Sequence, residues 1–468
     1  STYWQAWAAP GLKDRQDNAI QRVVQFTIAR GLIQTGPQAI FAANKQQKVS
    51  GQTFYFRRYP QHKLAAQTIG YSTASRSQAG LERSMNDYLT GSNTNLSNAF
   101  KRALLGGGTV KGNSLQLTLN PAAQRIAQQQ LGSRCGAVVA MNVHPGAVYV
   151  MASTPSYDPN LIQSQYSKVL KIRGDCGEGF ALLNRATSGL YTPGSTFKII
   201  TAAAALDTGA FTPSSTFVDP GYCMEYGKRV SNANNPDQTA ETYGRVNLVQ
   251  GFQHSINSVF CNIGKQLGTK TILDYAKRFG FYKTPPLETP ANERSPSGLY
   301  NGSHLNDPKD PNSIDPGRLA FGQTSMLATP LQMAMVAATV GNGGVVPKPY
   351  LVQKIVAPDG STVRDTKPGN LGRAIKPQTA TDLTAMMVAA VQGGTGTAAQ
   401  IPGIQVAGKT GTAETNVPHV YTAWFTCFAP ADNPQIAVAV VLEKQANGFG
   451  GAVAAPIAKL VLQALLHG

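Results

Sequence analysis

The sequence predicts an α+β fold, in which an antiparallel sheet is completed from both ends of one large domain and covered by helices, with a smaller block ahead of it. Three observations carry this reading. Apolar strand-like runs at 136–141 and 147–153 flank His144-Pro145-Gly146, a hairpin turn signal. Three further strand candidates, 404–413, 421–429 and 436–442, come only much later, followed by a helical tail at 455–466. Most of the sequence between the two strand groups has helical periodicity, so the insertion is expected to lie against the sheet. A length of 468 residues exceeds one ordinary domain, and 42% apolar with 14% charged residues marks a folded chain.

Taken in order, residues 1–108 mix strand-like pieces such as 53–57 with helical patterns such as 81–89. They end at Gly106-Gly107-Gly108, which reads as a linker. The expected division is therefore a non-catalytic block, 1–108, and a second domain, 109–468. Residues 115–119 alternate as a strand, and 121–131 reads as a helix opened by Asn120 and Pro121. The insertion offers helices at 196–206, 248–267, 272–279, 330–340 and 379–391. A proline-rich stretch, 285–316, reads as a long surface loop.

A formal charge of +17 favours an anionic partner such as membrane lipid or an acidic wall polymer. The bases are dispersed, the densest group being Arg57, Arg58 and Lys63, and no nucleic-acid motif accompanies them, so nucleic acid is not expected. Cys135, Cys176, Cys223, Cys261 and Cys427 form no C-x-x-C pair and have no histidine at ligand spacing. No metal and no cofactor are expected. At least one thiol is unpaired within the chain, and a Cys176–Cys223 bridge is open to it outside the cytoplasm. No apolar run approaches the ~18 residues that span a bilayer. Because the sequence starts at Ser1 rather than Met, a signal or membrane anchor is expected ahead of it.

The chemistry is carried by Pro193-Gly194-Ser195-Thr196-Phe197-Lys198, which opens a helix. Ser195 and Lys198, three residues apart, share a helix face. A serine hydroxyl needs a base to become a nucleophile, and a lysine serves when burial or a neighbouring cation lowers its pKa. Read alone, Ser195 is as easily a helix cap and Lys198 a solvated side chain. Two companions change the balance: Ser255-Ile256-Asn257, in a helical stretch or its preceding turn, and Lys409-Thr410-Gly411-Thr412, in a strand. A serine-x-x-lysine followed in order by such motifs is the pattern of active-serine penicillin-interacting enzymes.

The chain resembles class B penicillin-binding proteins over nearly its whole length. Arg30-Gly31-Leu32-Ile33, Tyr59-Pro60, Gly70-Tyr71 and Gly80-Leu81-Glu82 resemble the N-terminal pedestal of that class. Ser156-Tyr157-Asp158-Pro159-Asn160, Asn184-Arg185-Ala186, Gly322-Gln323 and Thr329-Pro330-Leu331-Gln332 resemble its transpeptidase domain. Gln34-Thr35-Gly36 departs from the family's Asp-Arg, and Ile256 is less usual than serine or cysteine between Ser255 and Asn257. The resemblance implies an extended pedestal domain followed by a serine β-lactamase/transpeptidase-like domain with a five-stranded antiparallel sheet covered by helices. It also implies peptidoglycan D,D-transpeptidase activity, in division or growth, that β-lactams inhibit. Ser195 would be the nucleophile and Lys198 its base, with Ser255 and Lys409 passing the proton on. Asn257, Thr410, Gly411 and Thr412 would bind substrate, and the Ser195 and Thr412 N–H groups would form the oxyanion hole.

The implied partners are peptidoglycan stem peptides, β-lactam antibiotics, and a membrane glycan polymerase with other division or elongation proteins. The implied location is the outer face of the plasma membrane, held there by an N-terminal membrane anchor. Rival readings are a β-lactamase, a carboxypeptidase, a β-lactam sensor and an idle scaffold. The N-terminal block argues against the first, and the complete motif set against the last. Glu82 is expected to be a structural carboxylate paired with a base, His254 a packed or capping imidazole, and Trp424 and Tyr421 sheet-packing residues.

Overall fold

The structure, a computed structural model, describes residues 25–36, 39–74, 77–92, 109–232 and 241–467. The expected five-stranded sheet is present and wholly antiparallel. Its order is Ala407–Glu414, Val420–Ala429, Ile436–Ala446, Gly136–Asn142 and Val148–Thr154. Side-chain alternation divides each strand between two cores. Val138 and Ala140 face Ala123, Ala127, Leu131, Val461 and Leu462 of helices Pro121–Leu131 and Ala455–Leu466. Ala137, Val139 and Met141 face the helical insertion, where Phe197, Ile200, Phe252, Phe260 and Met333 are buried. Burial on both faces explains why these strands read as continuous apolar runs rather than alternating ones.

A six-stranded sheet joins the N-terminal block to the rest. Ser114–Leu117 pairs parallel with Ile33–Thr35 and antiparallel with Val352–Val356, so strands from both sides of residue 108 share one hydrogen-bonded ladder. The glycine run Gly106-Gly107-Gly108, read as a linker, lies outside the described residues. Behind this sheet, Glu82 is fully buried between two arginines. Its carboxylate accepts from Arg30 Nη2 at 2.8 Å and Arg57 Nε at 2.6 Å, which fulfils the expectation of a structural carboxylate.

Several elements differ from the sequence reading. The helix expected at 81–89 is two short ones, Gly80–Ser84 and Asn86–Thr90, parted at Met85. Within 285–316 the chain forms a small hairpin, Gly298–Asn301 with His304–Leu305. The cysteines pair as Cys135–Cys176 and Cys223–Cys261, leaving Cys427 buried and free, so the Cys176–Cys223 bridge is corrected. The reason is local anchoring. Asp175 is tied to Ser133 through N–H to carbonyl and hydroxyl to carboxylate bonds, which brings Cys176 beside Cys135. Cys223 instead sits in a hairpin, Tyr222–Glu225 with Lys228–Ser231, laid against the helix bearing Cys261. No helix among the described residues is long and apolar enough to cross a membrane.

Candidate active site

Ser195 lies in a 3-10 turn, Gly194–Phe197, that runs into helix Lys198–Asp207. The turn is held by close backbone approach. Gly322, at φ 79°, accepts from Gly194 N, and a Cβ there would meet Gly194 O at 2.2 Å. From the sheet side, Trp424 is fully buried and donates its indole N–H to Thr192 O at 3.0 Å. Trp424 therefore packs in the sheet, as expected, and also anchors the approach to the serine.

Lys198 is buried beneath this turn. Its Nζ donates to Ser255 O and Asn257 Oδ1, both at 2.8 Å, and lies 3.2 Å from Ser255 Oγ. Lys409, buried on the edge strand, donates to Ser255 Oγ at 2.8 Å and Thr410 O at 3.1 Å. Ser255 Oγ thus bridges two lysines. Neither forms an ion pair with a carboxylate among the described residues. Burial, reinforced by the Lys409 charge, holds the Lys198 ammonium well below the usual lysine value. Burial alone pushes Lys409 down to about 7. The faces of Phe260 and Phe321, 5.2 and 5.9 Å from Lys198 Nζ, and of Phe252, 5.6 Å from Lys409 Nζ, add a weak attraction for a cation to the hydrogen-bond acceptors.

The helix expected at 248–267 is broken at this motif. Leu248–Gln253 ends, His254, Ser255 and Ile256 turn, and a new helix starts at Asn257. Ser255 takes the left-handed conformation, φ 57°, and Ile256 N donates to Gly251 O at 2.9 Å to close the turn. A non-glycine residue in that conformation costs about 1 kcal/mol. In return, both the hydroxyl and the carbonyl of Ser255 reach Lys198.

The edge strand Ala407–Glu414 forms the opposite wall. Thr410 Oγ1 pairs with Thr395 Oγ1 at 2.7 Å, and Thr412 Oγ1 accepts from Gly450 N at 3.1 Å. A Cβ at Gly411 would fall 2.7 Å from Pro193 O, so only glycine lets this strand close on the nucleophile turn. Ser195, Ser255, Asn257, Thr410 and Thr412 all line one cavity of about 550 Å³. Lys198 and Lys409 lie beneath its floor. The predicted residues therefore converge, from elements far apart in sequence.

The cavity also has walls that the sequence reading missed. Asn232, Tyr243, Phe321, Thr395 and Phe449 line it. Thr395 carried a signal, because Gly393-Gly394-Thr395-Gly396 is a glycine cluster of the kind that marks close backbone approach. His254 packs with its ring 5.2 Å from that of Tyr243, and it also lines the cavity. Tyr421 departs from simple sheet packing: it lines the cavity and stacks on Phe449 at 5.1 Å.

A serine at the head of a helix, two buried lysines joined by a second serine, and a five-stranded antiparallel sheet with the third motif on its edge define an active-serine acyl-transfer fold. The penicillin binding protein transpeptidase domain model matches residues 136–463, and the penicillin binding protein A dimerisation domain model matches residues 30–115. The chain belongs to the penicillin-binding protein transpeptidase family. Over 100% of its length it is 34% identical to 95% of a peptidoglycan D,D-transpeptidase PbpA of Mycolicibacterium smegmatis, and equally identical to 95% of its Mycobacterium tuberculosis counterpart. Among solved structures, a ceftriaxone acyl-enzyme complex of M. tuberculosis penicillin-binding protein A superposes with a TM-score of 0.82 at 31% identity, covering 95% of this chain and 100% of that one. A D,D-transpeptidase domain from Eggerthella lenta gives 0.80 at 31% identity, covering 94% and 99%.

Proposed function

We propose that this chain is a peptidoglycan D,D-transpeptidase that crosslinks stem peptides through an acyl-serine intermediate and is blocked by β-lactams at the same serine. The observation that carries the reading is the pair of buried lysines meeting on Ser255 Oγ beside the cavity that Ser195 lines, with no carboxylate among the described residues paired to either. A neutral Lys198 keeps a lone pair, and its two N–H groups are matched by Ser255 O and Asn257 Oδ1.

In the first half-reaction Ser195 Oγ bonds to the carbonyl carbon of the penultimate D-Ala, and its proton passes to Lys198 Nζ. The proton then travels through Ser255 Oγ to the amine of the terminal D-Ala as the C–N bond breaks, with Lys409 holding Ser255 in line. In the second, an amine of a neighbouring stem peptide attacks the ester, forming the crosslinking amide and returning the proton to Ser195. Asn257 would hold the donor peptide's amide. Thr410, Gly411 and Thr412 would receive its terminal carboxylate in the field of Lys409. The N–H groups of Ser195 and Thr412 would stabilise the oxyanion, each donor worth about 3 kcal/mol.

The division into a pedestal, 1–108, and a transpeptidase domain, 109–468, belongs to this reading, with the shared six-stranded sheet as the joint between them. Glycan strands would come from a membrane polymerase of the division or elongation machinery. The site of action would be the outer face of the plasma membrane. Intact-protein mass after incubation with benzylpenicillin tests the proposal. A single long-lived adduct on the wild type and none on Ser195→Ala is the expected result. An adduct that clears within minutes would make the protein a β-lactamase, and no adduct on folded wild type would remove the enzymatic reading.

A further inference from the structure

Next to the motif turn lies a buried carboxylate that the reaction scheme leaves unused. Asp219 is 2% exposed and pairs with no cation among the described residues. It is surrounded by donors: Gly221 N at 2.8 Å and Ser258 Oγ at 2.5 Å on Oδ1, Tyr243 N at 2.9 Å on Oδ2, and Asn232 Nδ2 at 3.1 and 2.9 Å across both oxygens. So many neutral donors on one carboxylate offset its desolvation and lock every group they come from.

Those groups converge on the catalytic lysine. Ser258 follows Asn257 directly, and its backbone N–H donates to Asn232 Oδ1 at 3.0 Å. Asn257 Nδ2 donates to Ser231 O at 3.2 Å, next to Asn232, while Asn257 Oδ1 accepts from Lys198 Nζ. Tyr243 stacks on His254, which adjoins Ser255. Asp219 is thus bonded directly to Ser258, the second residue of the Asn257 helix, and to Asn232 and Tyr243 of the cavity wall, and stands at one remove from Asn257.

We propose that Asp219 is a positioning residue for acylation: by fixing Ser258 and Asn232 it sets Asn257, and through Asn257 the Lys198 amine, in line with Ser195. The proposal rests on the acyl-serine reading above. It makes a specific demand on Asp219, which must only accept. An asparagine there would turn its own N–H₂ toward either Gly221 N–H or Tyr243 N–H, so the isosteric change is expected to be nearly as damaging as truncation.

The test is stopped-flow acylation by benzylpenicillin of the full chain, separating the dissociation constant of the first complex from the first-order acylation constant. Asp219→Asn and Asp219→Ala should each lower the acylation constant by about 100-fold, the cost of displacing a reacting group by about 1 Å, with the dissociation constant within about threefold of wild type. Ser258→Ala removes one donor and should lower it about fivefold. This milder variant decides the matter if the Asp219 variants fail to fold. Acylation constants equal to wild type in the folded variants, or a loss confined to the dissociation constant, would overturn the proposal. A wild type that forms no adduct would instead sink the acyl-serine reading itself.

Discussion

Two regions of this molecule bury charge completely and treat it in opposite ways. In the N-terminal block Glu82 lies between Arg30 and Arg57, with Tyr59 OH as a further donor at 3.3 Å. Burial alone would push the Glu82 carboxyl up, but the two arginines outweigh it and hold it below its usual value. In the catalytic domain Lys198 and Lys409 are equally buried, yet among the described residues their hydrogen bonds go to hydroxyl, carbonyl and amide oxygens and to no carboxylate, and both are pushed down. Paired burial freezes the protonation state and serves the fold. Unpaired burial disfavours the ammonium and leaves an amine free to take up a proton, which is what a base for Ser195 requires.

Substitutions should separate the two regions cleanly. The largest effect is expected for Lys198→Met, which should slow acylation by benzylpenicillin about 10³-fold while leaving thermal stability equal to or above wild type. Glu82→Ala should do the reverse. Two arginines left without their carboxylate should cost about 3 kcal/mol in urea unfolding, with the acylation constant of the folded protein unchanged. A comparable loss of acylation in Glu82→Ala would break the comparison.

Lys409→Met offers a smaller, sharper test, since it should slow acylation about 10²-fold yet stabilise the fold by about 2 kcal/mol at pH 6. The sign follows from linkage. The folded value of Lys409, about 7, lies below its ordinary 10.5, so the unfolded chain binds more protons between them. The penalty of burying this lysine is therefore full below pH 7 and relieved as pH rises toward 10.5. The stability gain of Lys409→Met, followed by urea unfolding, should narrow steadily over that range.

How much of this could be read from the sequence depends on how local each signal was. The Ser195, Ser255 and Lys409 motifs and the five strands were legible, because fixed spacings and apolar runs are written in contiguous residues. Glu82 was legible as a paired carboxylate, though its partners Arg30 and Arg57 were not. The turn at Ser255 was not legible: residues 248–267 keep helical periodicity through it, and the left-handed Ser255 is stabilised by contacts to Lys198 and Lys409 from elsewhere. The disulfide pairing, the ladder joining Ile33 to Leu115, and the convergence of donors on Asp219 depend on segments that meet only in the folded chain.

The central claim is that Lys198 is neutral when Ser195 needs a base. The most direct measurement is the pH titration of lysine side-chain resonances in isotopically labelled protein, with Lys198→Met to assign the signal. A resonance that titrates well below 10.5 and disappears in the variant is the expected result. A Lys198 signal that remains that of an ordinary ammonium up to pH 10 would contradict it.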